Sequence, residues 1–286
     1  MKQSLSIILP CHNESTSLSV VLEKLTYLYP DAELIVVDDA SDDNSADIAE
    51  TTGAKVIRHP YNMGNGAAIK SGARAASGDI LVFMDADGQH HPEDISRLLA
   101  EIDAGYDMAI GARSAQTQAS FARKLANGFY NKLASWVVGQ KIADLTSGFR
   151  AVRASKFKAF LYLLPNTFSY PTTITMAFFR AGYSLKYVPI HAGQRQGKSH
   201  IKLFNDGVRF LLIIFKIGTL YAPLKLFGPI SLLNFLMGLF YYAYTYFTDG
   251  RFTNMGALLF TTALLIFLIG LVSEQITSLL YSEKMH

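Results

Sequence analysis

The chain has 286 residues, of which 50% are hydrophobic and 17% charged, and it contains one cysteine. This composition is too apolar for a disordered chain, and a lone cysteine excludes a disulfide framework or a cysteine-based zinc site. The formal net charge of +3 is too small to indicate nucleic-acid binding, so no nucleic-acid partner is expected. A positive mean hydropathy with an ordinary charge content indicates a soluble domain joined to a more apolar segment.

Strand and helix patterns alternate along roughly the first two thirds of the chain. Apolar runs predict strands at 4–9, 33–37, 55–58, 80–84 and 108–110, and helical spacing or helix-start residues predict helices at 18–28, 43–51, 65–76 and 92–104. This alternation predicts an α/β fold with a mostly parallel sheet. In such folds, ligands bind beyond the carboxyl ends of the strands, which is where the polar clusters of this sequence fall.

Two uncharged stretches, 226–248 and 252–273, follow near the C-terminus. Each is longer than the ~20 apolar residues that cross a bilayer as a helix. A buried core helix is the alternative for either stretch, but two in succession favour a transmembrane hairpin. The chain begins with Met1-Lys2-Gln3 and a short strand rather than a long apolar region, so we expect no secretory signal peptide.

Basic residues predict the orientation of this hairpin. Only Arg251 lies in its loop, whereas the first stretch is preceded by Lys202, Arg209, Lys216 and Lys225. The positive-inside rule therefore places the N-terminal domain and the C-terminal tail in the cytoplasm. Residues 201–220 mix these bases with apolar residues, which favours an amphipathic interfacial helix over an ordinary core helix. The predicted domains are 1–200 (catalytic), 201–222 (interfacial) and 223–286 (hairpin and tail).

The strongest chemical signal is the acidic pair Asp85 and Asp87, which follows an apolar strand. Carboxylates one residue apart, with the amide oxygen of Gln89, suit Mg²⁺ or Mn²⁺ held together with substrate phosphates. The alternative is an acidic turn that caps the helix starting near Pro92. A second signal, Asn62-Met-Gly64-Asn-Gly66, opens a helix whose N-terminus would approach a phosphate, or it is simply an entry turn. It lacks the third glycine of a dinucleotide fingerprint.

A third signal is a set of basic residues late in the N-terminal region. Arginine suits phosphate recognition because its planar fork makes paired hydrogen bonds. Arg195 and Lys198 lie in a polar loop just before the predicted interfacial helix, where they would hold an anionic lipid headgroup; a solvated loop is the alternative. The set comprises Arg113, Arg123, Arg150, Arg195 and Lys198.

These motifs occur in an order that resembles one family. The sequence resembles the family 2 inverting glycosyltransferases of the GT-A fold, and within them the dolichol-phosphate mannose synthase-like group that includes bacterial polyprenyl-phosphate glycosyltransferases. The motifs are Pro10-Cys-His-Asn-Glu14, Val36-Val-Asp38-Asp39-Ala-Ser41, Asn62-Met-Gly64-Asn-Gly66, Asp85-Ala-Asp87-Gly-Gln89-His90, Gly111-Ala-Arg113 and Asp144-Leu-Thr-Ser147-Gly-Phe-Arg150.

The resemblance implies a role for each matching residue. Asp85 would contact the nucleotide sugar, and Asp87 with Gln89 would bind Mg²⁺ or Mn²⁺. Donor binding is also assigned to Gly66, and the nucleotide pocket to Pro10, His12, Glu14, Asp38 and Asp39. His12 stands where relatives often carry tyrosine.

The same resemblance assigns the basic residues. Arg113 and Arg123 would face the transferred sugar or the acceptor phosphate, and Arg195 with Lys198 would form a late basic loop. Ser147 and Arg150 belong to a stretch whose role is partly structural. We interpret His90 and His91 as supporting or solvent-facing residues rather than metal ligands, and we expect the stretch 114–120 to be a loop that substrate orders.

The implied function is inverting transfer of a sugar from a GDP- or UDP-linked donor to a polyprenyl monophosphate at the cytoplasmic face of a bacterial inner membrane. Such a phosphate is largely a dianion at neutral pH and needs no strong general base. The alternatives are a non-lipid acceptor, a silent nucleotide-sugar binder and a partner in lipid flipping. A processive polysaccharide synthase is disfavoured, because the only tryptophan, Trp136, lacks the Gln-x-x-Arg-Trp context. The sugar and a homo-oligomeric state are left open.

Overall fold

The structure, a computed structural model, describes residues 3–113, 121–167, 169–190, 212, 215, 218–219 and 222–282, with the side chains of 121–127 and 280–282 left out. The chain divides into two compact units, Met1–Asn131 with Lys141–Lys202 and Lys132–Gln140 with Leu203–His286. The predicted domain bounds stay predictions, since residue 200 and most of 201–222 lie outside the described residues.

The strands of the first unit follow hydrophobic, β-branched runs of the sequence. Each of β1, β2 and β4 presents fully buried residues, as expected for strands covered on both faces. Their bounds are β1 (Leu5–Cys11), β2 (Glu33–Asp38), β3 (Lys55–Arg58), β4 (Ile80–Phe83), β5 (Met108–Arg113), β6 (Arg150–Arg153) and β7 (Leu185–Ile190).

Helices alternate with these strands. The predicted helix at 92–104 begins with one 3₁₀ turn, Pro92–Asp94, before the α-helix itself. The helices of this region are α1 (Ser15–Leu28), α2 (Ser45–Thr51), α3 (Asn65–Ala75), α4 (Ile95–Asp103), α5 (Phe121–Val138), α6 (Ala154–Lys158) and α7 (Tyr170–Arg180).

The described strands form one sheet in the order β3-β2-β1-β4-β6-β5-β7. The pairs β1–β2, β1–β4, β2–β3 and β5–β7 are parallel, while β6 runs antiparallel to both β4 and β5. The mostly parallel α/β sheet is therefore confirmed. Strand β6 is the exception, and it reverses the chain direction inside the sheet.

The core lies on both sides of β1. Ile7, Ile8 and Leu9 are fully buried, and α1 covers the sheet with its own apolar stripe of Leu18, Val21, Leu22 and Leu25. Helix α3 approaches closely because it is built from alanine and glycine. At Gly72 an added Cβ would collide with the branched side chain of Ile8. The small residues of α3 therefore set its distance from the sheet.

Two long helices, α8 (Pro223–Asp249) and α9 (Asn254–Ser282), make up most of the described part of the second unit. Both are long and apolar enough to span a bilayer. Only 11% of the most apolar window in α8 and 17% of that in α9 is buried, whereas a core helix of a soluble protein is mostly buried. The Ser231 hydroxyl donates to the Ala263 carbonyl at 2.7 Å, and Gly238 lies against Leu259 and Phe260. Small and polar residues thus join the hairpin, as is typical in membranes.

We expect Gly72→Ala to destabilise the protein by about 1–3 kcal/mol, because the added methyl overpacks a well-filled core. Thermal unfolding of the purified protein in detergent measures the loss. Gly128→Ala is the matched control, since Gly128 lies in α5 with open space around it. Alanine is favoured there by helix propensity, so its melting temperature should hold or rise. Equal melting temperatures for both variants would contradict the packing argument.

Candidate active site

The sheet brings the predicted site residues to one edge. Strands β1, β2 and β4 are parallel, so their carboxyl ends meet at the same edge. Strand β6 is antiparallel to both β4 and β5, so β5 runs parallel to β4. Arg113, at the carboxyl end of β5, therefore lies at that edge as well. Because β6 runs the other way, its start at Arg150 also lies there. The segment Ser147–Phe149 therefore joins the acidic pair, although it is far away in sequence.

The turn after β4 that contains Asp85 and Asp87 is fixed by two hydrogen bonds. The Ser17 hydroxyl of α1 donates to the Ala86 carbonyl at 2.8 Å, and the Asp87 carboxylate accepts from the Gln89 amide N–H at 3.1 Å. The Asp85 side chain is 37% exposed. A Cβ added at Gly148 would lie 3.3 Å from Asp85 Oδ2 and 3.3 Å from the Tyr170 hydroxyl. Because Gly148 has no side chain, the Asp85 carboxylate can occupy the space beside it.

The segment before β6 is fixed by four hydrogen bonds. The Ser147 hydroxyl donates to the Gly111 carbonyl at 2.6 Å, and the Gly111 N–H donates to the Phe149 carbonyl at 2.9 Å. The Tyr170 hydroxyl donates to the Gly148 carbonyl at 2.9 Å, and the Arg150 guanidinium donates to the Ser147 carbonyl. These bonds hold Gly148 against Asp85.

His90 is buried beside Asp85. Its ring stacks on Phe149 with centroids 4.9 Å apart, and its Nε2 lies 3.8 Å from Asp85 Oδ2. Burial lowers the pKa of His90 to about 4, so the imidazole is neutral at pH 7. His90 is thus buried and the neighbouring His91 is exposed, and their supporting or solvent-facing roles stay predictions.

Arg113 is locked in an ion pair that the sequence analysis did not anticipate. Its Nε and Nη2 donate to the two oxygens of Asp144 at 2.8 and 3.1 Å, and Nη2 also donates to the Thr146 hydroxyl at 2.7 Å. Burial disfavours both charges, but the pairing outweighs it: the pKa of Arg113 is raised and that of Asp144 is lowered. Among the described residues, Nη1 of Arg113 makes no hydrogen bond, so it is the part of the fork available to an anion.

Beyond the end of β2, Asp39 is the centre of a second hydrogen-bond network. Asp39 Oδ1 contacts His59 Nδ1 at 2.7 Å and accepts from the Met63 N–H at 2.8 Å, and Oδ2 accepts from the Gly64 N–H at 2.7 Å. Burial raises the pKa of this carboxyl, but the three bonds outweigh it and hold the pKa below its usual value. A carboxylate offers about four acceptor positions, so one position of Asp39 is left for a ligand.

Two residues near the same edge of the sheet have strained backbone conformations. Asn13 and Ala40 both have φ of 58°, a left-handed conformation that is uncommon for residues other than glycine. Each follows the end of a strand, and the Asn13 side chain accepts from the Asp42 N–H at 2.8 Å. Asp38 is buried and accepts from the Ser41 N–H, His12 is exposed, and Pro10 and Glu14 are half-buried. The predicted nucleotide pocket thus lies where the backbone departs from its ordinary conformations.

Packing accounts for the glycine at position 66. The Ala67 N–H donates to the Asn166 carbonyl at 2.8 Å, and a Cβ on Gly66 would collide with the Pro165 carbonyl. The sequence left open whether the start of α3 approaches a phosphate or is an entry turn, and the donor-binding role of Gly66 stays a prediction.

Several predicted residues lie outside the described part of the chain. Arg195 and Lys198 belong to the undescribed stretch, and for Arg123 only the helix that contains it is described. The proposed loop at 114–120 and most of the predicted interfacial helix at 201–220 are also outside it. Their roles stay predictions.

The acidic edge fits a divalent cation in its chemistry. Asp85, Asp87 and Gln89 supply hard oxygen ligands, and Gly148 keeps the space beside Asp85 open. In the part of the chain that the structure describes, no group of three or more His, Cys, Asp and Glu side chains is arranged to hold a metal.

Comparison with known families identifies the chain. Residues 6–161, more than half of it, match the model described as Glycosyl transferase family 2, and residues 222–279 match the GtrB C-terminal hairpin. The chain therefore belongs to glycosyl transferase family 2, and the predicted family is confirmed.

Curated relatives share one name. The undecaprenyl-phosphate 4-deoxy-4-formamido-L-arabinose transferase of Serratia proteamaculans is 35% identical over 190 residues, which cover 60% of this chain and 58% of that protein. The protein of the same name from Edwardsiella ictaluri is 31% identical over 249 residues, which cover 82% and 74%. The chain thus spans somewhat under two thirds of the Serratia relative and about three quarters of the other.

Solved structures share the fold. Glucosyl-3-phosphoglycerate synthase from Mycobacterium tuberculosis, in complex with Mn²⁺ and UDP-glucose, superposes with a TM-score of 0.63 at 20% identity, covering 76% of this chain and 79% of that chain. The same enzyme with Mn²⁺, UDP and glucosyl-3-phosphoglycerate gives 0.60, covering 74% and 80%. The predicted GT-A fold is confirmed.

We expect Asp39→Asn to lower the free energy of unfolding by about 1–3 kcal/mol at pH 7. The NH₂ group of the new asparagine would face one of the three hydrogen-bond donors that the Asp39 carboxylate now contacts. The folded pKa of Asp39 is depressed, so its contribution is complete above the unfolded pKa of about 3.9 and is lost as the pH falls through the folded pKa. Thermal unfolding from pH 7 to pH 3 should show the two proteins converging in acid. The exposed Asp103, replaced by Asn, is the control and should show no gap.

We expect Gly148→Ala to reduce catalytic efficiency by about 10- to 100-fold, because the new methyl displaces the Asp85 carboxylate and small misplacements of reacting groups are costly. Steady-state transfer kinetics and thermal unfolding should be measured on the same preparations. A loss of activity without a comparable loss of stability supports a positioning role. Full activity in a folded variant would show that Asp85 does not need this space.

Proposed function

We propose that the protein transfers a sugar from a nucleotide sugar to a polyprenyl monophosphate, with inversion at the anomeric carbon, at the cytoplasmic face of a bacterial membrane. The observation that carries the proposal is one edge of the sheet that combines Asp85 and Asp87 with the clamped Arg113, in a chain that also contains a long apolar hairpin. The names of its relatives, undecaprenyl-phosphate sugar transferases, support the lipid acceptor.

The donor is a nucleoside diphosphate sugar. The pocket is formed by residues that follow β1 and β2, where Asp38 and Asp39 are buried and Asp39 retains an acceptor position for a base or ribose donor group. Complexes of the structural neighbour with UDP and UDP-glucose favour a UDP-linked donor. GDP is the other candidate.

Asp85, Asp87 and Gln89 would hold Mg²⁺ or Mn²⁺ together with the diphosphate of the donor. When bound, such an ion neutralises charge on the leaving diphosphate. The neighbour's complexes with Mn²⁺ support this assignment. Gly148 leaves space for the Asp85 carboxylate, and the neutral imidazole of His90, 3.8 Å from it, adds no positive charge that would compete with the ion.

The acceptor phosphate is largely a dianion at pH 7 and is already a nucleophile. Its approach to an anionic donor requires positive charge on its own side. The Nη1 group of Arg113 supplies two N–H donors in a fixed direction, because Asp144 and Thr146 immobilise the rest of the guanidinium. Arg123, Arg195 and Lys198 would add further charge. In-line attack on the anomeric carbon then inverts its configuration.

A transfer assay on the detergent-purified full chain tests this function. Labelled UDP- and GDP-sugars are offered with undecaprenyl phosphate and Mn²⁺, and the label that enters the organic phase is measured. Label that depends on one donor and on the metal, and that is abolished by EDTA, supports the proposal. Label that stays in the aqueous phase with every donor contradicts transfer to this lipid acceptor. Bound nucleotide without turnover points to a silent binder.

We expect Asp87→Asn to reduce this transfer by at least about 100-fold, since losing ~3 kcal/mol of charge stabilisation on the leaving group corresponds to that factor. Asp103→Asn, an exposed carboxylate at the end of α4, is the matched control and should retain full activity. An Asp87→Asn protein with wild-type turnover would remove this carboxylate from the mechanism.

A further inference from the structure

His59 is a buried histidine that has no role in the transfer step proposed above. Its Nδ1 lies 2.7 Å from Asp39 Oδ1, and its Nε2 lies 2.9 Å from the Ser71 hydroxyl. The exposed fraction is 4% for Asp39 and 9% for His59. Both ring nitrogens are therefore bonded, in a chain that runs from the Asp39 carboxylate through the imidazole to a serine of α3. A buried polar chain whose members are all bonded is rigid.

The register of the sheet places His59 beside Asp39. Strands β2 and β3 are parallel with Asp38 opposite Arg58, and the His59 N–H donates to the Asp38 carbonyl at 2.8 Å. The residues that follow these two strands therefore lie next to each other. On the other side of the ring, the small residues of α3 let that helix lie close to the sheet, which brings Ser71 within reach of Nε2.

These bonds assign a direction to each proton. An ionised carboxylate only accepts hydrogen bonds, so Nδ1 of His59 donates to Asp39. When the imidazole is neutral, its Nε2 is then an acceptor, and the Ser71 hydroxyl donates to it. The bond on one ring nitrogen determines the state of the other, so Ser71 stabilises the tautomer that donates to Asp39.

The acceptor positions of Asp39 are almost fully used. A carboxylate oxygen offers about two positions, and those of Oδ1 are taken by His59 Nδ1 and the Met63 N–H. Oδ2 accepts from the Gly64 N–H, so among the described residues its second position is the one that is left. Without the imidazole, Oδ1 would regain a position, and the carboxylate would present a free acceptor on each oxygen.

This difference separates two nucleobases. The Watson–Crick edge of uracil carries a single N–H between two carbonyl groups, whereas that of guanine carries an N–H beside an amino group. Two adjacent donors pair well with both oxygens of one carboxylate. A carboxylate with one free position suits the single N–H of uracil, and it would leave the second donor of guanine unpaired. Unpaired polar groups in a buried site are a strong source of selectivity.

We propose that His59 is a positioning residue that, held by Ser71, restricts Asp39 to one acceptor position and thereby makes the donor site select uracil over guanine. His59 acts through Asp39 and does not itself contact the donor. This rests on the proposed function, in which the residues that follow β1 and β2 form the nucleotide pocket, and it assigns a residue to the choice between UDP- and GDP-linked donors.

Isothermal titration calorimetry of the detergent-purified full chain with UDP and with GDP, both in the presence of Mn²⁺, measures this selectivity. We expect the wild-type protein to bind UDP at least about tenfold more tightly than GDP, the factor that corresponds to one hydrogen bond. His59→Phe keeps a ring but has no nitrogen, so it should lose most of this preference. His59→Asn should retain it, because its amide nitrogen is as many bonds from the backbone as Nδ1.

A milder variant tests the serine. Ser71→Ala releases the ring without removing it, so we expect the preference for UDP to fall by a smaller factor, about two- to fivefold. Ser155→Ala, at an exposed serine of α6, is the matched control and should bind both nucleotides as the wild type does. Thermal unfolding of each preparation shows that the variant is folded at the temperature of the titration.

A preference that His59→Asn retains and His59→Phe loses supports the proposal, because a role in packing alone would be served better by phenylalanine. A folded His59→Phe protein with the wild-type preference overturns it, and so do equal losses in both His59 variants. Equal preferences for Ser71→Ala and Ser155→Ala overturn the role of Ser71.

The wild-type protein separates this proposal from the proposed function. Tighter binding of GDP than of UDP, or equal binding, overturns the selectivity and leaves sugar transfer to lipid standing, since the transfer assay offers both donors. Binding of neither nucleotide overturns the donor site and this proposal together. The titrations need no lipid and no turnover, so a negative transfer assay is a separate outcome.

Discussion

The fully buried guanidinium of Arg150 is the constraint on which the edge of the sheet depends. It donates to the Ser147 and Pro171 carbonyls and to the Thr175 hydroxyl, and it lies 5.5 Å from the Tyr170 ring. Its Nε has no partner among the described residues, and burial lowers its pKa. A buried charge is costly unless its donors are satisfied and opposite charge faces it. Asp85 and Asp144 supply opposite charge, so these carboxylates help to balance the protein's own buried cation.

The carboxylates at this edge also account for the ion pair between Arg113 and Asp144. An edge that carries Asp85, Asp87 and Asp144 would repel the two anionic substrates of the proposed function. The ion pair partly offsets the negative charge of Asp144 and fixes the direction of the Arg113 guanidinium. A fixed donor loses little rotamer freedom on binding, which is how preorganised electrostatic sites work. Asp144 thus serves Arg150 through charge and Arg113 through hydrogen bonds.

The sequence predicted β1 to β5, and β1, β2 and β4 most clearly, because these three are continuous apolar runs with helical segments between them. It did not predict β7, which pairs in parallel with β5. It did not predict β6 either, since Arg-Ala-Val-Arg is four residues long and polar at both ends. The Asp39–His59 and Arg113–Asp144 pairs were missed as well, because they join residues 20 and 31 positions apart, which no local pattern connects. Asp144 had been noticed only as part of a motif. The crowding at Gly66 was not predicted either, because it comes from Pro165, a contact made by the tertiary fold.

The net charge of +3 is the sum of an acid-rich and an acid-poor region of the sequence, and this distribution matters more than the total. Screening limits electrostatic attraction to about 8 Å at physiological salt, so the membrane acts on the residues nearest to it and not on the whole chain. The acid-rich residues 1–113 carry the carboxylates that suit a cation and a donor, and the acid-poor residues 114–205 carry the bases that suit lipid phosphate. Arg113 is the last residue of the first region, and it is paired with Asp144, the one acidic residue of the second. Under the proposed function, a nucleotide-sugar donor and a lipid-phosphate acceptor would meet where the Arg113–Asp144 pair joins the two charge regions.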